Sequence, residues 1–283
     1  LSTERRPEGG APLRKEPSVK RVVAILLCLI AGSFFITGCV RERPEPTWEK
    51  TPLTGERKQV SFFTSLGVNY RIFNDDTAEV DSLGEAFVGS NIESLKELQY
   101  FVGLKELKSG AFAHANGLKD IVIPAGVEAI EDGALAYCPA LESIAVDTAN
   151  THYDSRDNCN GIVCTWKGKL MLVAGCKNTV LTDRMQYIAP QAFKGCAGLK
   201  ELDLPARMES IGAEAFKDCG SLHAIDIPKS IRFIEESTFE GCKALTMITL
   251  PKSIERLRKD AFKGCTALEK IVCPRHYVPI IEG

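Results

Sequence analysis

Residues 211–233 read IGAEAFKDCGSLHAIDIPKSIRF, and the next 23 residues, IEESTFEGCKALTMITLPKSIER, repeat them without a gap. The frame extends in both directions. Residues 188–210 (IAPQAFKGCAGLKELDLPARMES) and 257–279 (LRKDAFKGCTALEKIVCPRHYVP) match it, so Phe193, Phe216, Phe239 and Phe262 stand 23 apart. Upstream, residues 107–129 (LKSGAFAHANGLKDIVIPAGVEA) and 130–152 (IEDGALAYCPALESIAVDTANTH) keep the same order, and SLGEAFVG around Leu83 and Phe87 is a decayed copy. Self-similarity at a fixed period of this length marks an array of stacked supersecondary units, not a compact domain.

Within one unit the strand-like piece is L-x-x-I-x-[IL]-P, as in Leu222, Ile225, Ile227 and Pro228. Alternate residues 225 and 227 then share one face of a strand. Proline just beyond them ends the ladder, because it has no amide hydrogen to donate. The A-F-x-x-C element that follows is too short for a helix of several turns and is predicted to be a 3₁₀ or single-turn piece. One unit cannot bury its apolar side alone; stacking places the leucines, isoleucines, phenylalanines and cysteines in inner rows, and those rows form one elongated core.

The pattern A-F-x-x-C-x-x-L-x-x-I-x-[IL]-P resembles the BspA-like (Treponema pallidum type) leucine-rich repeat family of bacterial surface proteins. The resemblance runs from about residue 80 to 283. It includes residues 91–107 (NIESLKELQYFVGLKEL), similar to the family's lead-in, and residues 153–179 (YDSRDNCNGIVCTWKGKLMLVAGCKNT), similar to its recurring hairpin insertion. The resemblance implies a leucine-rich repeat solenoid: a curved parallel β-sheet with short 3₁₀ or helical turn elements and one β-hairpin insertion. It further implies adhesion or protein binding, and it marks Cys159 and Cys176 as recurrent positions that a hairpin brings together, candidates for a disulfide or for two free thiols.

The spacing itself locates the insertion. From Ile130 to Ile188 the frame gains 12 residues beyond two periods, which assigns 153–187 to the interruption. Two apolar runs, Ile162 to Cys164 and Leu170 to Val173, flank Trp166-Lys167-Gly168-Lys169, where glycine supplies turn geometry. A hairpin added at one edge of the coils is expected, with Trp166 either packing at its base or serving in recognition. Past the last repeat no polar capping segment is visible, so residues 277–281 are expected to fold over the final coil, or another chain to cover it.

The amino-terminal part reads differently. Residues 22–40, VVAILLCLIAGSFFITGCV, follow Lys15, Lys20 and Arg21 and precede the polar RERPEPTWEKTP. A charged stretch before an apolar one is the pattern of a signal segment. Ile36-Thr37-Gly38-Cys39 resembles a bacterial lipobox, which implies cleavage before Cys39 and lipid attachment to its thiol. The expected division is a signal peptide over 1–38, a polar linker and lead-in over 39–79, and the solenoid over 80–283. A lipid-anchored protein of the bacterial outer membrane or cell surface follows from it.

Composition and spacing exclude several chemistries. With 35 basic against 37 acidic residues the chain carries no net footprint for nucleic acid. Cys138, Cys196, Cys219, Cys242 and Cys265 share one repeat position and form a line, whereas zinc requires ligands converging as a tetrahedron. They read as small buried hydrophobes. The histidines at 114, 152, 223 and 276 fall at unrelated repeat positions, and no carboxylate pair flanks a cleft. No enzyme, metal or cofactor is expected. The candidate site is the outward row of the strands: Glu201, Asp203, Asp226, Met247, Thr249 and Lys270. This row has no aromatic platform for a polysaccharide, so proteins are the expected partners, either on host or partner cells or, alternatively, within a bacterial envelope scaffold.

Overall fold

The computed structural model describes residues 59–65, 68–73, 83–84, 87–274 and 279–282. The expected signal segment and Cys39 lie outside them. In chain order, the strands begin with β1 (Gln59–Ser65) and β2 (Val68–Phe73), an antiparallel hairpin inside the segment expected as linker and lead-in. Next come β3 (Ser94–Leu95), β4 (Glu106–Leu107), β5 (Asp120–Ile123), β6 (Ala129–Ile130) and β7 (Ser143–Val146). The insertion supplies β8 (Gly161–Trp166) and β9 (Lys169–Gly175). The resumed coils supply β10 (Met185–Ile188), β11 (Ser210–Ile211), β12 (Phe233–Ile234), β13 (Met247–Thr249), β14 (Arg256–Leu257), β15 (Lys270–Val272) and β16 (Ile280–Ile281).

These strands form a curved solenoid with two parallel ladders per coil. One runs through β3, β5 and β7, continues at the Glu201–Ala224 bridge and ends in β13 and β15. The second joins β4 to β6, then β9 to β10 to β11, then β12 to β14 to β16. Ile121 faces Ile144 and Ile248 faces Ile271, so the register between neighbours is one repeat.

The turn element is held by amides that each reach back three residues: Lys194 to the Gln191 carbonyl (3.0 Å), Cys196 to Phe193 (2.9 Å) and Leu199 to Cys196 (3.1 Å). These are 3₁₀-type bonds, as expected. They never join into a helix because two residues per coil, two before and two after the phenylalanine, are left-handed: Gln191 and Gly195, Glu214 and Asp218, Ser237 and Gly241, Asp260 and Gly264. Each break turns the chain through the corner. The rings between them stack: Phe193 on Phe216 at 5.3 Å, Phe216 on Phe239 at 5.4 Å, and Phe239 on Phe262 at 5.5 Å. Phe87 stacks on Phe112 at 5.5 Å, which makes the decayed copy a true coil.

The hairpin corrects the edge placement expected from the sequence. It lies between the two halves of the solenoid and serves both as core. Ile162, Val173, Ala174 and Cys176 pack with the coils before it, whereas Cys159, Val163, Leu170 and Leu172 pack with the coils after it. A strand buried on both faces has no polar face to show, and KLMLVAG has none after Lys169. β9 in fact occupies a coil position. Ala189 donates to the Leu172 carbonyl (2.8 Å), just as Gly212 donates to Ile188 (2.9 Å), and Gly175 donates to Ala192 (2.9 Å), as Phe193 does to Ala215 (2.8 Å). Gly175 therefore stands where the following coils carry phenylalanine and the preceding one Leu135. The abbreviated coil ends there, and at the turn corner Tyr137 donates directly to the Lys194 carbonyl (2.8 Å). The Tyr137 hydroxyl then reaches over Gly195 to Asp218 (2.8 Å), and burial together with that carboxylate pushes its pKa up to about 12.

Asn160 closes the other side of the join. Its side-chain oxygen accepts from Ile144 (2.8 Å), and its amide donates to the Glu142 carbonyl (2.7 Å), so one left-handed residue satisfies the edge of β7. At the far end β16 pairs with β14, and Glu282 meets Arg256 at 3.3 Å. Ile280 and Ile281 themselves remain exposed.

Candidate binding surface

The outward row is positioned by the inward residues beside it. Leu202, Ile225 and Ile248 are buried, and the pleat turns their neighbours to solvent. Glu201, Asp203, Asp226, Met247, Thr249 and Lys270 are all exposed. Glu201 bridges to Ala224, Met247 faces Lys270 and Thr249 faces Val272, so the row is a ladder in space as it was in sequence. Met247 is its apolar centre, 51% exposed. None of these six side chains forms an ion pair among the described residues. That sets them apart from the coil flanks, where Lys105 pairs with Glu128 (2.6 Å) and Lys217 with Glu240 (2.8 Å) across one repeat. A shallow cavity lined by Lys177, Asn178, Gly198, Lys200 and Glu201 lies where the hairpin hands over to this row. Ile271 departs from the expected inward packing: no described coil covers its outer side, and it is 41% exposed.

The cysteine ladder is structural. The thiols of Cys138, Cys219, Cys242 and Cys265 donate to the carbonyls of Phe112, Phe193, Phe216 and Phe239, at 3.0 to 3.1 Å. Burial pushes the pKa of Cys138, Cys196 and Cys242 up to about 12, and that of Cys219 well above its ordinary value. Buried and protonated, these thiols pack as small apolar side chains with a weak donor. Among the described residues no group of histidine, cysteine and carboxylate side chains is arranged to hold a metal.

These shifts set a pH dependence. Unfolded thiols ionise near pH 9, whereas the folded ones stay protonated, so the stability they contribute is complete below pH 9 and is lost as pH rises towards 12. A urea midpoint that falls over that window tests this. Among the described cysteines, alkylation at pH 8, followed by mass spectrometry of the intact and digested protein, should modify the half-buried Cys164 and Cys273 first and leave the ladder unlabelled.

The candidate pair Cys159 and Cys176 lies in the hairpin with no bond between the two thiols. Both are buried free thiols, and they face opposite ways from the hairpin: Cys159 into the core after it, Cys176 into the core before it. The Cys159 thiol donates to the Gly161 carbonyl (3.6 Å) and the Cys176 thiol to the Asn160 carbonyl (3.6 Å). Trp166 does not pack at the hairpin base. It sits at the hairpin tip, beside the left-handed Lys167-Gly168 turn, 43% exposed, with its ring edge-on to Tyr187 at 5.4 Å. The exposed His114 stacks on Tyr137 at 4.9 Å, an edge position as expected.

Solved structures share this architecture. A leucine-rich cell surface protein from Faecalibacterium prausnitzii is 25% identical with a TM-score of 0.52, the match covering 63% of this chain and 56% of that one. The pneumococcal vaccine antigen PcpA is 20% identical with a TM-score of 0.53, covering 65% of this chain and 51% of that one. The present chain thus spans little more than half the length of either. Among curated protein sequences none matches it. Solenoids of this kind present their exposed rows as extended surfaces. The family model described as a BspA type leucine rich repeat region matches six copies over residues 63–160 and 173–282, interrupted at the body of the hairpin. The match covers well over half of the chain, which therefore belongs to the BspA type leucine-rich repeat family.

Proposed function

We propose that this protein docks other proteins, on host or partner cells, along the row from Glu201 to Lys270, while lipid on Cys39 holds it at the bacterial surface. The observation that carries the reading is that this row is exposed and free of internal ion pairs, with Met247 at its centre. Solenoids use such rows as extended binding surfaces, and an exposed apolar residue within a polar rim is the usual arrangement of a protein contact. The description of the Faecalibacterium relative as a cell surface protein supports the location. The apolar run before Cys39 supports the anchor.

Binding of purified Cys39→Ser protein to immobilised extracellular-matrix proteins tests the surface. The combined D226A/M247A/T249A variant should weaken the interaction at least about tenfold, a loss of roughly 1.4 kcal/mol or more. Unchanged binding by that variant would exclude the row. Radiolabelled palmitate in the producing cells tests the anchor: label should be lost in the Cys39→Ser variant, and retained label would refute lipid attachment at this residue.

A further inference from the structure

A second row, on a different corner of the solenoid, has its own chemistry. Between the two ladders each coil makes the same tight turn, closed by Met185 donating to Thr182 (2.9 Å), Met208 to Pro205 (2.9 Å), Ile231 to Pro228 (3.1 Å) and Ile254 to Pro251 (3.2 Å). The central pairs of these turns are Asp183-Arg184, Ala206-Arg207, Lys229-Ser230 and Lys252-Ser253. Four consecutive coils therefore each place one exposed cation on this corner. The homologous turn before the hairpin, closed by Val127 donating to Pro124 (3.3 Å), carries Ala125-Gly126 instead.

None of Arg184, Arg207, Lys229 and Lys252 makes an ion pair or side-chain hydrogen bond among the described residues. On the ladder beside them the opposite holds: Lys169 meets Glu209 (2.5 Å), Arg232 meets Glu255, and Arg256 meets Glu282 (3.3 Å). Neighbouring coils are about 4.8 Å apart. That is well inside the screening length of roughly 8 Å at physiological salt, so the four cations repel one another, offset at the first coil by the exposed carboxylate of Asp183 beside Arg184. A chain of anions laid along the stacking axis would relieve the repulsion and release its own counterions. A shallow cavity lined by Asp183, Arg184, Ala206 and Arg207 gives the row a recess at its first end.

We propose that this corner binds a linear anionic polysaccharide running along the solenoid axis. A pyranose ring is about as long as one coil is thick, so a charge on each sugar, or on each disaccharide, stays in step with the row. An extended peptide presents same-face side chains about 6.6 Å apart and loses step. Among the described residues no exposed large apolar side chain belongs to these turns, and peptides are commonly held by such anchors. Single-stranded nucleic acid needs free aromatic faces for its bases. The nearby rings of Tyr187 and Phe233 are already faced by Lys169 and by Arg232 and Arg258.

Heparin is a suitable probe, with neutral dextran, poly-glutamate and a single-stranded oligonucleotide as comparisons, all measured on the full chain by surface plasmon resonance. The protein should bind heparin in preference to the other three, and the affinity should fall steeply with salt. The R184A/R207A/K229A/K252A variant should lose about fivefold per charge removed. The R184K/R207K/K229R/K252R variant should retain binding. All four side chains are exposed, so the thermal midpoint should not fall in either variant. Absence of heparin binding, an unaltered affinity in the alanine variant, or equal affinity for poly-glutamate or the oligonucleotide would overturn the assignment.

Discussion

Replacing Phe216 by alanine is expected to lower the unfolding free energy by about 3–5 kcal/mol, the cost of emptying a fully buried aromatic site. The ring is wholly inaccessible and lies between Phe193 and Phe239, within 9° of parallel to the first and 1° to the second. Both neighbours are held in place by backbone bonds, Phe193 to Ala215 (2.8 Å) and Phe239 to Ala261 (2.9 Å), so the cavity cannot collapse. Each ring contact contributes about 0.5–1.5 kcal/mol beyond the area buried, and two are lost together. Stability in a stacked array depends on each interface between neighbours, so the damage extends to the coils on both sides. Phe216→Leu should cost far less, because Leu135 already fills this position in the coil before the hairpin. Urea unfolding followed by far-ultraviolet circular dichroism measures both. Equal midpoints for Phe216→Ala and the parent protein would show that the stack contributes nothing.

Gly175→Val is expected to be about as damaging, for the opposite reason. A Cβ at this position would lie 2.2 Å from Cε1 and 2.6 Å from Cζ of Phe193. Phe193 has no room to withdraw, since Phe216 is stacked behind it. The backbone of Gly175 is fixed in turn by its bond to Ala192 (2.9 Å) and its pairing with Gly161. Overpacking of this kind costs about 1–3 kcal/mol, and the rigid surroundings place valine at the upper end. Shrinking the opposing ring should relieve the clash. The double variant G175V/F193L is therefore expected to be more stable than the sum of the single losses, with a coupling of about 1 kcal/mol or more. Strict additivity would mean that the two residues do not compete for the same space.

The repeat was legible because every coil presents the same side chains to the core at one interval. Phe193, Phe216, Phe239 and Phe262 declare the coil length, and Leu202, Ile225 and Ile248 declare which face is inward, so the exposure of Glu201, Met247 and their neighbours followed directly. The final coil was the exception. Ile271 has the inward residue type, but burial also requires a neighbour on each side.

The hairpin was misplaced for a definable reason. Its two apolar runs mark two strands, but Leu170, Leu172, Val173 and Ala174 form a run with no polar alternation, and that is the mark of a strand buried on both faces. The 12 extra residues beyond two periods already allowed room for a shortened coil. Contacts such as Tyr137 to Asp218, 81 positions apart, could not be read in advance. They depend on the hairpin coil ending before the turn corner, and the residue two places after the phenylalanine varies among glycine, histidine, tyrosine and aspartate. The cation row was hidden by the near-balance of total charge, which says nothing about where the unpaired charges fall.

The central structural claim is that β9 is a working coil that welds two half-solenoids into one body and so gives the outward row a rigid support. Native-state hydrogen exchange measures this directly. Amides of residues 170–176 should exchange as slowly as those of residues 214–219 in the middle of the phenylalanine stack, because both bond to neighbouring coils within buried core. Exchange of 170–176 at the rate of exposed turn residues such as Lys229 and Lys252, while 214–219 stays protected, would contradict the claim and return the hairpin to the periphery.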